Sequence, residues 1–141
     1  MTYETVMTAL TAGLALSAAS RKVQRGMVLD PANIKDGDLT KGVLCVVAQG
    51  GGNFWNYQGR EGDGGDLDVT VVGFVQVTEK AETVVLEQAE FALIEDVLTF
   101  CKSIGIASTP IDAVVPIDWR QSGQLEHPFG WVTMKLKVRW L

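Results

Sequence analysis

The pattern of apolar and polar positions predicts two amphipathic helices in this chain. Between residues 2 and 20, apolar side chains recur about every fourth position, which places them on one face of a helix. A stronger pattern runs over residues 84–104, where apolar residues recur at steps of three and four. Thr83 can cap the start of this second helix and Gly105 can end it. Both helices therefore carry an apolar stripe that another layer must bury.

Alternation and short apolar runs predict about four β-strands. Residues 131–141 alternate strictly between apolar and polar, as in a strand that is buried on one face. Residues 43–48 form a β-branched apolar run, and residues 67–78 place a row of valines on one side. Gly73 interrupts that row, which indicates a bulge or a close approach of backbone. A weaker run at residues 113–117 contains a proline, which favours an edge strand.

These elements together predict an α+β fold in a single domain that spans residues 1–141. We expect a mostly antiparallel or mixed sheet of about four strands, with the two main helices packed on one face. A chain of 141 residues can form such a core without a metal or a disulfide. The polar stretch at residues 33–38 is predicted to be loop or turn.

A long glycine-rich loop, from Gly50 to Gly65, separates the first two predicted strands and carries Phe54, Trp55 and Tyr57. Glycine-rich backbone loses much conformational freedom when it becomes ordered. Aromatic side chains, by contrast, carry much of the binding energy at protein interfaces. We therefore predict that this loop takes part in assembly and orders against neighbouring subunits. The alternatives are that the aromatics fold back on their own domain or stack on a sugar or nucleobase.

Charge is acidic overall and unevenly distributed. The net charge of −5 opposes a general nucleic-acid-binding role, which needs a basic surface. Separated patches of opposite sign would suit head-to-tail contacts between copies, whereas two solvated faces are the alternative. Besides the three loop aromatics, the candidate contact residues are Arg60, Asp63, Asp66, Arg21, Lys22, Arg25, Glu87, Glu90, Lys135, Lys137 and Arg139.

No complete catalytic, nucleotide-binding or metal-binding motif is found. His127 is the single histidine of the sequence and is followed by a proline, with no second metal ligand close in sequence. The glycines at 50–52 lack the Lys-Ser or Lys-Thr of a phosphate-binding loop. Asp63, Asp66 and Asp68 do not have calcium-loop spacing and are predicted to be solvated turn residues. We therefore expect no catalytic residue, no cofactor and no metal, and the role of His127 stays open.

Three further features are assigned to ordinary structure. Cys45 and Cys101 lie in apolar runs and are predicted to be buried, reduced thiols. The apolar run at residues 6–19 lacks a preceding basic residue and is too short to cross a bilayer, so we expect a first helix, no membrane contact and a cytosolic site of synthesis. The acidic side chains of the long helix are predicted to form an exposed face, and they are Glu87, Glu90, Glu95 and Asp96.

Five predicted helices and strands have an order and an apolar–polar pattern that can be compared with a known family. They are the N-terminal helix through Leu16, VLCVVAQ (Val43 to Gln49), DVTVVGFVQV (Asp68 to Val77), TVVLEQAEFALIEDVLTF (Thr83 to Phe100) and WVTMKLKVRWL (Trp131 to Leu141). In this order they resemble the tail terminator proteins of long-tailed bacteriophages, and more loosely the neighbouring tail-completion and neck proteins. The resemblance covers nearly the whole chain, except for residues 107–129.

The resemblance implies a structural virion protein without an enzymatic step. Subunits of that family form a ring, commonly a hexamer, which stops tail-tube polymerisation at the correct length and presents a surface to the head connector. The implied partners are other copies of the chain, the tail tube protein and the connector or neck proteins. The genome would pass through the ring without sequence-specific binding, and the protein would be made in the host cytoplasm and end in the tail or neck of the virion.

Two alternatives to this function remain open at the level of sequence. The first is a neck or head-completion subunit, which would also act by assembly and differs from a tail terminator only in its partner. The second is a small α+β enzyme or ligand-binding domain that uses the glycine-rich loop as a lid. This second alternative requires a concave pocket with convergent polar groups near His127 or Asp118.

Overall fold

The structure is a computed structural model that describes residues 3–28, 34–52, 65–103 and 111–140. Across these ranges the chain has an α+β fold with three helices and five strands. In chain order they are α1 (Tyr3–Ser17), β1 (Lys22–Arg25), α2 (Asp36–Lys41), β2 (Val43–Gly52), β3 (Gly65–Gln76), α3 (Thr83–Ser103), β4 (Ile111–Gln121) and β5 (Phe129–Trp140).

All the described strands belong to one mixed sheet with the order β1-β2-β3-β5-β4. β1 runs parallel to β2, and every other neighbouring pair is antiparallel. β3 and β5 form the centre of the sheet and pair along their whole lengths, from Gly65 opposite Trp140 to Gln76 opposite Phe129. The two edges of the sheet are therefore β1 and β4.

The main core lies between one face of the sheet and the helices α1 and α3. The strict alternation of β5 turns its apolar row toward these helices, where the row is fully buried. Gly73 on β3 allows α3 to approach, because a Cβ there would lie 2.9 Å from Val132 Cγ2 and 3.1 Å from Leu93 Cδ1. The packing of the two main helices on one face is confirmed. The close approach at Gly73 is made by side chains and not by backbone as predicted.

Within the described residues, the second face of the sheet is covered at one end. There Val43, Cys45 and Val72 form a small cluster against which Val28 and Ile34 pack. Farther along β3, β5 and β4 the side chains of this second face are mostly polar or exposed. This part, which no other described residue covers, is called the open face below.

The structure extends and corrects the predicted elements. β1 and α2 were not predicted, because each is too short to show a hydrophobic period. α2 begins within residues 33–38, which were predicted to be loop or turn, and it is held by the burial of Leu39 rather than by helix propensity. The glycines at 50–52, predicted to begin the long loop, instead extend β2 because they pair with β3.

Both cysteines are buried free thiols, as predicted. Burial is the main cause that raises the pKa of Cys45, and it raises the pKa of Cys101 to about 11. A thiol with a raised pKa stays protonated and unreactive at neutral pH. Among the described helices, none combines the length and apolar character needed to cross a membrane.

Candidate interaction surface

β4 is an edge strand with large exposed apolar side chains. Residues 115–120 are all exposed, and the exposed fractions of Val115, Ile117 and Trp119 are 48%, 57% and 47%. One side of this 11-residue strand has no neighbouring strand within the described part of the chain. Natural proteins usually keep edge strands short or polar, because unpaired backbone groups beside apolar side chains recruit another strand. The exposed side chains of Val115, Ile117 and Trp119 therefore leave an apolar edge that is open to a partner.

The backbone of β4 is irregular in two places. Its register against β5 shifts between Ile111 and Ala113, and again between Pro116 and Asp118. The second shift leaves Ile117 outside the ladder of paired residues, and Pro116 is tolerated because an edge strand does not need every N–H. The edge strand predicted at residues 113–117 is confirmed, although the strand is longer in both directions.

Sequence reasoning missed most of the exposed apolar residues on this part of the chain. Val115, Ile117 and Trp119 alternate with polar residues near the end of β4, a pattern that predicts a strand but not its exposure. Leu125, in the turn after β4, has an exposed fraction of 89%. Apolar residues next to a proline in a weak strand are therefore a signal for an edge that is available to a partner.

The open face of the sheet carries a shallow cavity of about 460 Å³. Its charged side chains alternate in sign across the strands, since Asp68 lies opposite Lys137 and Asp118 lies opposite Lys135. Such a mixed surface suits a protein partner better than a polyanion, which needs a continuous basic surface. The residues that line the cavity are Gln49, Asp68, Val69, Thr70, Ile117, Lys135, Leu136 and Lys137.

The opposite edge of the sheet is covered over only part of β2. β1 pairs with residues 43–46, and the N–H of Gly26 donates to the carbonyl oxygen of Val46 at 3.0 Å. Beyond Val46, the side of β2 that faces away from β3 has no partner strand among the residues that the structure describes. A cavity of about 350 Å³ lies beside this opening, and it is lined by Met7, Arg25, Gly26, Val46, Val47 and Ala48.

Three of the basic residues predicted as contacts, Arg21, Lys22 and Arg25, are brought together near β1, where each has an acidic partner. These pairs are Arg21 Nε with Asp96 Oδ2 at 2.5 Å, Lys22 Nζ with Asp38 Oδ2 at 3.7 Å, and Arg25 with Glu4. Lys22 and Arg25 are exposed, and exposed ion pairs stabilise a fold by only about 0–1 kcal/mol. A partner carboxylate can therefore join or replace their present partners at little cost.

Glu90 was predicted to lie on an exposed acidic face, and this prediction is wrong because its side chain is fully buried. The hydroxyl of Ser122 donates to Glu90 Oε2 at 2.5 Å, and Gln121 Nε2 donates to Oε1 at 3.5 Å. Gly130 leaves room for the carboxylate, since a Cβ there would lie 2.5 Å from Oε2. A buried carboxylate needs such donors. Glu90 therefore anchors the turn at residues 122–128 on α3 and does not face a partner.

The other acidic residues of α3 are not alike. Gln124 Nε2 donates to Glu87 Oε2 at 2.9 Å, so Glu87 is half-buried and also holds the turn after β4. Glu95 is exposed, as predicted, and Asp96 is half-buried beside Arg21. Of the four acidic residues predicted to form an exposed face, only Glu95 is therefore exposed.

Asp66 was predicted to be a solvated turn residue, and this prediction is also wrong. Asp66 lies in β3 with an exposed fraction of 4%, because the β2–β3 pairing continues past the predicted end of the strand. Its Oδ1 atom lies 3.7 Å from Nε of Arg139, which is directly opposite on β5. Asp68 is exposed but is a strand residue as well.

Some predicted contact residues cannot be placed. Phe54, Trp55, Tyr57, Arg60 and Asp63 lie outside the described residues. The role of the glycine-rich loop in assembly stays a prediction.

His127 lies in the turn between β4 and β5, and its Nε2 atom is buried without a hydrogen-bond partner in the described part of the structure. Neither His127 nor Asp118 lines the cavity on the open face. Over the same residues, no cluster of three or more His, Cys, Asp or Glu side chains could hold a metal ion. The cavity on the open face therefore does not bring these two residues together.

No protein-family model and no curated protein matches this chain.

Proposed function

We propose that this protein is a structural subunit that assembles with copies of itself into a ring, as phage tail terminator proteins do. In this proposal the ring is a hexamer, as is common among tail terminator proteins. The ring caps the tail tube, fixes tail length and offers the surface that joins the head. The observation that supports it most directly is the exposed apolar edge of β4.

The edge of β4 supports assembly for two physical reasons. It offers backbone donors and acceptors that a further strand can pair with, and it adds Ile117 and Trp119 beside them. Tryptophan is among the residues that most often dominate binding energy at interfaces. A monomer would leave this surface in water, whereas an assembly buries it.

Among the described strands the sheet has two different open edges, and this favours a ring over a symmetric pair. One edge is β4 and the other is the uncovered side of β2 at residues 47–52. Contacts between unlike surfaces repeat head to tail, and they close into a ring when the rotation between copies allows it. The proposal therefore places other copies of the chain at the edges of the sheet.

The open face is then left for the other partners. Its mixed charges, with Asp68 beside Lys137 and Asp118 beside Lys135, suit complementary contacts with a protein. In the proposal these partners are the tail tube protein and the connector or neck proteins, and the location is the tail or neck of the virion. The proposal includes no enzymatic step and no cofactor.

Copurification tests this function. Tagged protein is mixed with purified tail tubes and, separately, with DNA-filled heads, and the bound material is imaged by negative-stain electron microscopy. We expect a ring at one end of the tubes. Binding to heads without tubes would instead indicate a neck or head-completion subunit, and binding to neither would contradict the proposal.

A further inference from the structure

We infer that neighbouring copies join by pairing β4 of one copy with the uncovered side of β2 in the next, at residues 47–52. The sheets of all copies then form one continuous circle of strands. This inference rests on the proposed self-assembly and names the two surfaces that carry it.

The strand directions fit this contact. Three antiparallel steps, from β2 to β3, to β5 and to β4, separate the two strands in one copy, so β4 runs opposite to β2. Copies related by rotation about an axis roughly along the strands keep their strand directions. β4 therefore meets the next copy's β2 as an antiparallel neighbour, which is the usual geometry of edge pairing.

The position of β1 fixes the register. β1 occupies the side of β2 at residues 43–46, so an incoming strand must end where β1 ends, near Gly26. β4 ends at Gln121, after which the chain turns back toward β5. Placing Gln121 beside Val47 therefore sets Arg120 beside Ala48 without a clash with β1. The register shifts of β2, between Ala48 and Gly50, and of β4, between Pro116 and Asp118, lie beyond this pair.

This register staggers neighbouring copies by a small amount. Within one copy Val47 is level with Asp118, through Thr70 on β3 and Lys135 on β5. Moving Gln121 to the level of Val47 shifts the next copy by three residues, which is about 10 Å along the strands. Closed sheets accommodate such a stagger by tilting their strands relative to the axis.

Charge and shape agree with the same register. The turn that follows β4 would lie against the outer side of β1, and it carries the exposed residues Leu125 and Glu126. The cavity beside β1 offers the apolar side chain of Met7 and the guanidinium of Arg25. Glu126 then faces Arg25, and Leu125 enters the groove beside Met7. Opposite charges at this point favour one register over its neighbours.

Disulfide cross-linking tests the contact. The double variant Ala48→Cys with Arg120→Cys places thiols at two exposed positions that are opposite in the inferred register. Opposing residues of antiparallel strands have Cα atoms about 4.5–5.5 Å apart, which permits a disulfide. Within one copy β2 and β4 are at least about 14 Å apart, so a disulfide must join two copies. The control, Ala48→Cys with Asp112→Cys, moves one thiol to the far end of β4.

Mass photometry before oxidation, and a denaturing gel after it, distinguish the outcomes. We expect rings before oxidation and a ladder of covalent oligomers with loss of the monomer band in the test variant, but not in the control. Rings without cross-links in the test variant would overturn this contact while leaving the proposed function intact. Monomers before oxidation, with tail tubes present as well as absent, would overturn both.

The charge pair gives a second, independent measurement. Glu126→Lys should weaken assembly, and adding Arg25→Glu together with Glu4→Gln, which removes the carboxylate that Arg25 now pairs with, should restore it. Equal assembly by the wild type and by Glu126→Lys would count against the inferred register.

Discussion

Ser122 and Glu90 join the turn after β4 to the long helix α3, through a hydroxyl–carboxylate hydrogen bond of 2.5 Å. Because Glu90 is fully buried, this bond fixes the end of β4 relative to the rest of the domain. The edge strand is therefore held rigidly at the end where the contact between copies is inferred. An edge that is already ordered loses less conformational freedom when a partner binds.

The first prediction concerns this anchor. Glu90→Ala should destabilise the fold by about 2–4 kcal/mol, because it leaves a cavity and removes the acceptor of the buried Ser122 hydroxyl. Glu95→Ala, on the exposed side of the same helix, should change stability by less than about 0.5 kcal/mol. Urea unfolding of the two variants measures the difference, and equal midpoints would show that Glu90 has no anchoring role.

The second prediction concerns the close approach of α3 to the sheet. Gly73→Ala should cost about 1–3 kcal/mol, because the new methyl group would press on Val132 and Leu93. The matched control is Gly37→Ala in α2, where a Cβ would meet nothing within 4 Å. That variant should be neutral or slightly stabilising, because alanine favours a helix over glycine by up to about 1 kcal/mol. Thermal unfolding compares them, and similar melting temperatures would contradict the packing described.

The third prediction concerns the edge strand. Ile117→Lys should raise the concentration needed for assembly by more than about tenfold, since it removes an exposed apolar contact and adds a charge to the edge. Val84→Lys changes an exposed apolar residue on α3 and should leave assembly unaltered. Circular dichroism should show the same fold for both variants. If the two variants assemble equally well, β4 is not the contact.

The fourth prediction concerns Cys101, whose pKa burial raises from an ordinary value of 9.0 to about 11. Between these values the unfolded chain loses the thiol proton and the folded chain keeps it. Stability is therefore fully present below about pH 9 and falls as the pH rises toward 11, by roughly 2–3 kcal/mol in all. Unfolding measured at pH 8 and pH 10.5 should show a smaller loss for Cys101→Ala than for the wild type. An identical loss in both proteins would assign the effect to other groups.

The sequence predicts those elements whose burial pattern is local. β5 and α3 follow from apolar periods of two and of about 3.6 residues. Gly73 is visible in the sequence as a gap in a row of valines, and in the structure side chains pack close to it. β1 and α2 could not be predicted, because their geometry comes from pairing with β2 and from the burial of Leu39 rather than from their own composition.

The same reasoning explains why the candidate contacts were only partly right. The burial of Glu90 depends on Ser122, which is 32 residues away in sequence, so helical spacing alone suggests an exposed residue. Asp66 is buried because the pairing of β2 with β3 continues beyond the predicted strand end. The edge position of β4 was predictable from its proline, but its exposure follows from the strand order of the sheet.

The oligomeric mass of the purified protein tests the central claim most directly. One chain has a mass of 15.3 kDa, and mass photometry across a dilution series reports how many chains each particle contains. We expect one narrow species at a fixed multiple of that mass, which breaks down on dilution or on mutation of the β4 edge. Particles that remain single chains at every concentration, with tail tubes present or absent, would contradict the account.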